Sequence, residues 1–113
     1  RAGNYNEAIK YLQQARNDPK RKGQANFELG ECFRLIKQYP LALGSYEAAI
    51  EALSNRDEEA RKLALYWAGK VALLGTKDLD KASKHLNELA GMDFGFRDLS
   101  AVLDKLNQMR QDT

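Results

Sequence analysis

The chain has 113 residues, of which 43% are hydrophobic and 30% are charged, a composition typical of one folded domain or of a helical repeat array. Its 18 basic and 16 acidic side chains leave a net charge of +2, which provides no overall attraction to nucleic acid or to an anionic membrane. The single cysteine excludes a disulfide within the chain, and no run of about 18 apolar residues is present that could cross a membrane.

The first residues of the chain and its single thiol give two further expectations. The chain begins with Arg rather than Met, and its first residues do not form a signal peptide, so we expect a piece of a longer protein whose beginning lies upstream of Arg1. The lone thiol of Cys32 suits a reducing compartment, which predicts a cytoplasmic location.

The first three predicted helices cover about 5–17, 24–37 and 40–53. Apolar residues recur three and four positions apart in each of them, which indicates an amphipathic helix with one buried face. Asn4 and Glu7 form a predicted capping pair for the first helix, because an acceptor side chain is followed three residues later by Glu.

Three more helices are predicted in the second half of the chain. The fourth follows the polar junction at 54–59, whose acidic residues favour the positive end of a helix dipole, and it stops near Gly75. Asp78 caps the fifth helix, which ends before Gly91, and the sixth begins near Asp98. No segment alternates apolar and polar residues as a strand does, so the sequence predicts an all-α fold of about six helices.

The sequence also repeats itself. The segment 3–15 (GNYNEAIKYLQQA) aligns with 37–49 (KQYPLALGSYEAA) at an offset of 34 residues, and 77–89 (KDLDKASKHLNEL) follows 37–49 at an offset of 40. Upstream of the last copy, Gly69 falls on Gly30. A period of 34 residues is typical of a helix–turn–helix solenoid unit.

On these residues the chain resembles the tetratricopeptide repeat family, whose pattern places Leu-Gly before an aromatic residue and Ala four positions before another. The middle unit has Leu29-Gly30-x2-Phe33 followed by Ala42-x3-Tyr46, and the later unit follows the pattern more loosely. The resemblance implies one domain folded as a right-handed solenoid of antiparallel helix hairpins. Its predicted parts are a half-repeat (1–19), two repeats (20–54 and 55–91) and a C-terminal capping helix (92–113).

Helix geometry favours the same arrangement independently of the resemblance. Gly30 and Ala42 are small where the two helices of a hairpin would cross, since a larger side chain would force the helices apart. Tyr46 and Ala49 then fill the joint with the following unit. The alternative is an irregular helical bundle whose similarity to the repeat is accidental.

No convincing catalytic set is present. Cys32 and His85 are the only residues of their types and lie in different units without a surrounding motif. A Cys–His pair is conceivable, but we expect a thiol in the core and a partly exposed helix histidine. A metal site needs several His, Cys or clustered acidic ligands. We therefore predict no catalytic residue, no cofactor and no metal, and so no enzyme.

A basic cluster near the first turn offers a possible contact with RNA or with an acidic partner. It consists of Arg16, Lys20, Arg21 and Lys22. Asp18 dilutes its charge, and no aromatic residues are interleaved with it, so a solvated turn is the favoured interpretation. We expect neither a nucleic acid nor a membrane as partner.

The resemblance implies that the first helix of each unit lines a concave groove. The residues beside the buried stripe of these helices are predicted to contact a partner: Gln24, Phe27, Glu31, Arg34, Leu63, Tyr66, Lys70 and Leu73. Aromatic and charged side chains together suit an extended or helical peptide. The alternative is that the aromatic residues pack and the charges only face water. Trp67, beside this stripe, is predicted to pack between helices.

Some members of the family use Asn and basic residues in this groove to hold a C-terminal carboxylate of chaperones. Glu28 and Trp67 occupy the corresponding positions here, and an acid there would repel a carboxylate, so this specialisation is not expected. The resemblance implies a non-catalytic scaffold or adaptor that binds a protein or peptide. The alternative is a regulatory or oligomerisation tail of an enzyme whose catalytic domain lies upstream, with self-association through the exposed first helix.

Overall fold

A computed structural model describes residues 2–53 and 57–112 of the chain. No strand occurs in these two ranges, and none of their helices is both long and apolar enough to cross a membrane. The all-α prediction with six helices is confirmed. The helices are α1 (Ala2–Ala15), α2 (Lys22–Leu35), α3 (Tyr39–Ala52), α4 (Glu58–Lys70), α5 (Leu79–Asp93) and α6 (Leu99–Gln111).

The predicted helix signals were right in three places and wrong in two, one of which is the predicted end of the fifth helix before Gly91, since α5 continues to Asp93. Pro40 lies in the first turn of α3, and Asp78 caps α5 by accepting a hydrogen bond from the backbone N–H of Lys81 at 3.1 Å. The predicted junction at 54–59 lies partly outside the described residues, but its last two acids form the first turn of α4. Asn4 does not cap α1, because the helix already begins at Ala2.

Consecutive helices pack against each other, and contacts between opposite ends show that α2 with α3 and α4 with α5 form antiparallel pairs. Gly23 at the start of α2 lies against Leu53, directly after the end of α3. Lys62 near the start of α4 donates to Asp93 at the end of α5 at 3.2 Å. Each helix thus packs mainly against its neighbours in the chain, as in an array of stacked helix hairpins.

The two central hairpins cross at glycines. A Cβ atom at Gly30 would lie 2.7 Å from the ring of Tyr46, and a Cβ atom at Gly69 would overlap the side chain of Leu86. Tyr46 and Leu86 are both fully buried. The prediction that Gly30 is small because helices cross there is confirmed, and the same device recurs in the second hairpin.

The turns within these two hairpins also correspond. Lys37 and Lys77, 40 positions apart, are both non-glycine residues in the left-handed region, with φ of 64° and 60°. A left-handed residue directly after a helix is a common way of ending it, because the chain reverses while the last carbonyls stay hydrogen-bonded. The sequence repeat is therefore matched by a repeated backbone conformation.

The second hairpin contains one residue more than the first. Seven positions separate Gly30 from Lys37, whereas eight separate Gly69 from Lys77. The structure accommodates the extra residue in a π-helical turn, Val71–Gly75, which continues α4. Its wider spacing is visible where the N–H of Thr76 donates to the carbonyl of Val71, five positions earlier, at 3.0 Å.

The buried side chains form two clusters. The smaller lies between α1 and α2 and includes Cys32, so the predicted core thiol is confirmed. The larger extends from α3 to α6. The last helix is amphipathic: Leu99, Val102 and Leu106 are buried on one side, while the opposite side is polar and exposed. Such an outer face is what the end of a stacked array requires.

Gly30→Ala is expected to lower the free energy of unfolding by about 1–3 kcal/mol, because the added methyl group meets the buried ring of Tyr46. Its gain in helix propensity, about 1 kcal/mol, offsets only part of this cost. Gly44→Ala is the matched control, since Gly44 also lies inside a helix but has nothing within 4 Å of its Cβ position. Urea denaturation should show the control stabilised by about 0.5–1 kcal/mol. Equal effects of the two substitutions would contradict the crossing.

Candidate functional site

Helix α2 contacts helix α4 through a stacked pair of side chains. The guanidinium of Arg34 lies over the ring of Trp67, with 3.9 Å between its central carbon and the ring centroid. This cation–π contact joins the first helices of the two hairpins. We call the surface around it the α2–α4 face, formed by Phe27, Glu31, Arg34, Trp67 and Lys70.

Arg34 is held in place from its own side of the α2–α4 face. Its Nη2 atom donates to both carboxylate oxygens of Glu31 at 3.2 Å, and its Nε atom donates to the hydroxyl of Tyr46 at 3.1 Å. The same hydroxyl donates to Glu31. Burial and the hydrogen bond to Glu31 raise the pKa of Tyr46, so its hydroxyl stays protonated. The result is a fixed guanidinium, which is a good platform for recognition because little entropy is left to lose.

Phe27 completes the α2 side of this surface. It is half-buried, and its ring meets the ring of Tyr46 edge-on, with 5.7 Å between centroids. Gln24 is exposed one turn earlier, where its amide donates to Glu28 at 3.1 Å. Of the four predicted contact residues on α2, all therefore keep some exposed surface, although Glu31 and Arg34 are engaged with each other.

The α4 side combines an aromatic ring with a cation. Trp67 is half-buried and packs edge-on against Tyr66, with 5.2 Å between ring centroids. Lys70 donates to the hydroxyl of Tyr66 at 3.3 Å, and its Nζ atom lies 5.5 Å from the Trp67 ring centroid. Within residues 2–53 and 57–112, no carboxylate lies within 4.0 Å of the Lys70 ammonium.

Two of the predicted groove residues are core residues instead. Leu73 is 1% exposed and Tyr66 is 4% exposed, so neither offers side-chain surface to a partner. Tyr66 is covered by the segment before α6: its ring lies 5.8 Å from that of Phe96, and its hydroxyl donates to Asp98. Leu63 is half-buried on α4. The interpretation of Tyr66 as a partner-facing anchor is therefore corrected.

A hollow of about 210 Å³ lies at one end of the α2–α4 face, and we call it the Trp67 pocket. Helix α4 and its π-helical turn form one wall, and the start of α3 forms another. The residues that the π-helical turn and the start of α3 contribute to this pocket were not predicted from the sequence. Their only signal in the sequence was the one-residue difference in spacing between the repeats. The pocket is lined by Arg34, Tyr39, Trp67, Lys70, Val71, Leu74 and Gly75.

His85 lies away from this face and differs from expectation. It is 4% exposed rather than partly exposed, and its Nε2 atom lies 2.7 Å from a carboxylate oxygen of Glu47. Because a carboxylate only accepts, Nε2–H donates to Glu47, while the buried Nδ1 atom has no hydrogen-bond partner within the described residues. This contact ties α5 to α3 and gives His85 a structural role.

The other candidates for chemistry are structural as well. Burial raises the pKa of the Cys32 thiol, which disfavours the nucleophilic thiolate. In the basic cluster, Arg21 pairs with Asp18 at 3.2 Å and donates to the hydroxyl of Tyr11 at 3.3 Å, as a solvated turn would. The described part of the chain contains no group of three or more His, Cys, Asp or Glu residues that could hold a metal.

Comparison with known proteins found no family model, no curated protein and no solved structure that matches the chain. The resemblance to the tetratricopeptide repeat thus stays a prediction from the sequence, alongside the six helices and the repeated glycine crossings that the structure contains.

The contact between Asp98 and Tyr66 gives a pH-dependent prediction. The hydrogen bond from Tyr66 lowers the pKa of Asp98, while burial and the same bond raise the pKa of Tyr66 to about 12. Because the folded-state pKa of Asp98 lies below its unfolded value of about 4, its contribution to stability is present above that value. The contribution is lost as the pH falls through the lowered folded-state pKa.

Asp98→Asn is therefore expected to lower the free energy of unfolding by about 0.5 kcal/mol near pH 6, since a charged acceptor is lost at an exposed position where water screens the interaction. The difference from the unsubstituted chain should shrink at about pH 2.5. Urea denaturation at both pH values measures it, with Asp104→Asn as the control on the exposed side of α6. A difference of the same size at both pH values would show that the ionised carboxylate makes no such contact.

Proposed function

We propose that this chain is a non-catalytic protein-interaction module of the tetratricopeptide repeat type, which binds a peptide segment of another protein on its α2–α4 face. The observation that carries the proposal is the Trp67 pocket, whose lining residues include the fixed Arg34 and Lys70 but no acid. Half-buried aromatic and cationic side chains next to a hollow are the usual anchors of protein interfaces.

The geometry supports a peptide rather than a broad flat partner. Phe27 and Lys70 mark two ends of a strip that crosses from α2 to α4 at the Arg34–Trp67 stack. An extended segment could place one side chain near Phe27 and another in the Trp67 pocket. The strip is already ordered by Glu31 and Tyr46, so binding would require little rearrangement. We infer a cytoplasmic location from the buried, unpaired thiol.

The alternative stays a prediction from the sequence: a regulatory or oligomerisation tail of an enzyme that precedes the chain. The alternative is tested differently, because it requires contact with upstream residues or with another copy of the chain rather than with a free peptide.

Selection of random twelve-residue peptides displayed on phage tests the proposed function. We expect enriched peptides whose affinity falls about tenfold in Phe27→Ala and in Trp67→Leu, because each change removes an anchor of the α2–α4 face. Phe94→Ala is the matched control, since Phe94 is an exposed aromatic residue in the turn before α6. Circular dichroism confirms that each variant is folded. Failure to enrich any peptide, or unchanged affinity in both variants, would contradict the proposal.

A further inference from the structure

The far wall of the Trp67 pocket is built from two hairpin turns. A Cβ atom at Gly75 would lie 2.8 Å from the ring of Tyr39, so the π-helical turn and the start of α3 touch directly. Only glycine at position 75 allows this approach. The turn of the first hairpin is thereby brought beside the turn of the second, and the pocket opens between them.

Three leucines with about half of their surface exposed lie in the helix ends and turns that contribute to this pocket. Leu35 at the end of α2 is 49% exposed, Leu41 in the first turn of α3 is 53% exposed, and Leu74 in the π-helical turn is 47% exposed. A single exposed leucine is ordinary on a protein surface. Leu74 lies on the pocket wall, Leu35 directly follows the lining residue Arg34, and Leu41 follows the lining residue Tyr39 by two positions; we call these three leucines the apolar rim.

The charges around this rim are mainly positive. Lys37 and Lys77 occupy the two turns and are exposed, and Lys70 lies on the pocket wall. None of the acids nearby lines the pocket: Asp98 is linked to Lys70 through the Tyr66 hydroxyl, Asp78 accepts from the N–H of Lys81, and Asp80 pairs with Arg110 at 3.6 Å. Two cations, Arg34 and Lys70, therefore line the pocket, and two exposed ammonium groups lie in the adjoining turns, an arrangement that favours a partner of opposite charge.

We propose that the Trp67 pocket receives one large aliphatic side chain of a partner peptide whose neighbouring residues are Asp or Glu. The aliphatic group contacts Trp67, Leu74 and Tyr39, and the flanking carboxylates pair with Lys37, Lys70 and Lys77. This inference rests on the proposed function and gives the chemistry of the peptide. Apolar burial supplies the affinity, while the lysines select the acidic sequence.

Other occupants fit these observations less well. A nucleic-acid base would need an open aromatic surface, but the guanidinium of Arg34 already covers one side of Trp67. A lipid bilayer offers negative charge to a flat or convex surface, whereas the apolar group here must enter a discrete hollow. A second copy of the chain is the remaining competitor, and concentration dependence distinguishes it.

Trp67 is the only tryptophan of the chain, so its fluorescence reports on the pocket directly. The probe is the capped peptide Gly-Ser-Glu-Glu-Leu-Glu-Glu-Ser-Gly. One matched peptide replaces every Glu with Lys, and another replaces Leu with Ser. We expect a saturable change in emission with the first peptide and an affinity at least about tenfold lower with either of the others.

Variants locate the binding site. Lys70→Gln and Leu74→Ser are each expected to weaken binding of the acidic peptide about fivefold to tenfold. Lys105→Gln and Phe94→Ser are the controls, since they remove an exposed lysine and an exposed apolar residue elsewhere. Thermal unfolding checks that the variants are folded. A lack of any saturable change with the acidic peptide overturns the inference, as does equal binding of all three peptides or an unchanged affinity in both pocket variants.

Two further outcomes also overturn it. An emission change with anionic phosphatidylserine vesicles but not with the acidic peptide would assign the rim to a membrane surface. A change on raising the protein concentration alone, with dimers in sedimentation, would assign it to a second copy. If displayed peptides depend on Phe27 but not on Lys70 or Leu74, the inference fails while the proposed function stands.

Discussion

At the centre of each main hairpin a glycine faces a large buried side chain, Gly30 against Tyr46 and Gly69 against Leu86. The helices approach so closely there that a methyl group does not fit without a shift. The large partner fills the space that the missing side chain leaves, so the crossing is both close and well packed. Because the spacing of the two helices within each hairpin is fixed in this way, the position of α2 relative to α4 depends only on how one hairpin packs against the other.

Tyr46 links this packing constraint to the candidate site. Its ring fills the crossing at Gly30, while its hydroxyl accepts a hydrogen bond from Arg34 and donates one to Glu31. The guanidinium that lies over Trp67 is therefore oriented by the same residue that sets the distance between α2 and α3. A face built this way is rigid because its polar groups are attached to the core.

The extra residue of the second hairpin explains why the pocket lies at one end of this face. In the first hairpin the helix runs regularly from Gly30 to its left-handed turn at Lys37. In the second, the π-helical turn absorbs one more residue and sets Leu74 half-exposed beside Gly75. A local difference between two copies of a repeat thus distinguishes one hairpin from the other, and π-helical turns frequently occur at functional sites.

The sequence could predict what depends on local pattern. Apolar spacing located the helices, and the repeated glycines located the crossings, because both reflect short-range geometry. What it could not predict depends on segments distant in the chain. Tyr66 looked partner-facing because nothing in α4 shows that Phe96 and Asp98 fold over it. His85 is buried because Glu47, 38 positions earlier, accepts its hydrogen bond.

The central claim is that steric fit between a glycine and a large side chain sets the spacing of each hairpin. A double-mutant cycle with Gly69→Ala and Leu86→Ala tests it most directly, measured as free energies of unfolding in urea. In the unsubstituted chain Gly69→Ala should cost about 1–3 kcal/mol. In the Leu86→Ala background that cost should disappear, because the space the added methyl group needs has been vacated. An equal cost of Gly69→Ala in both backgrounds would contradict the account.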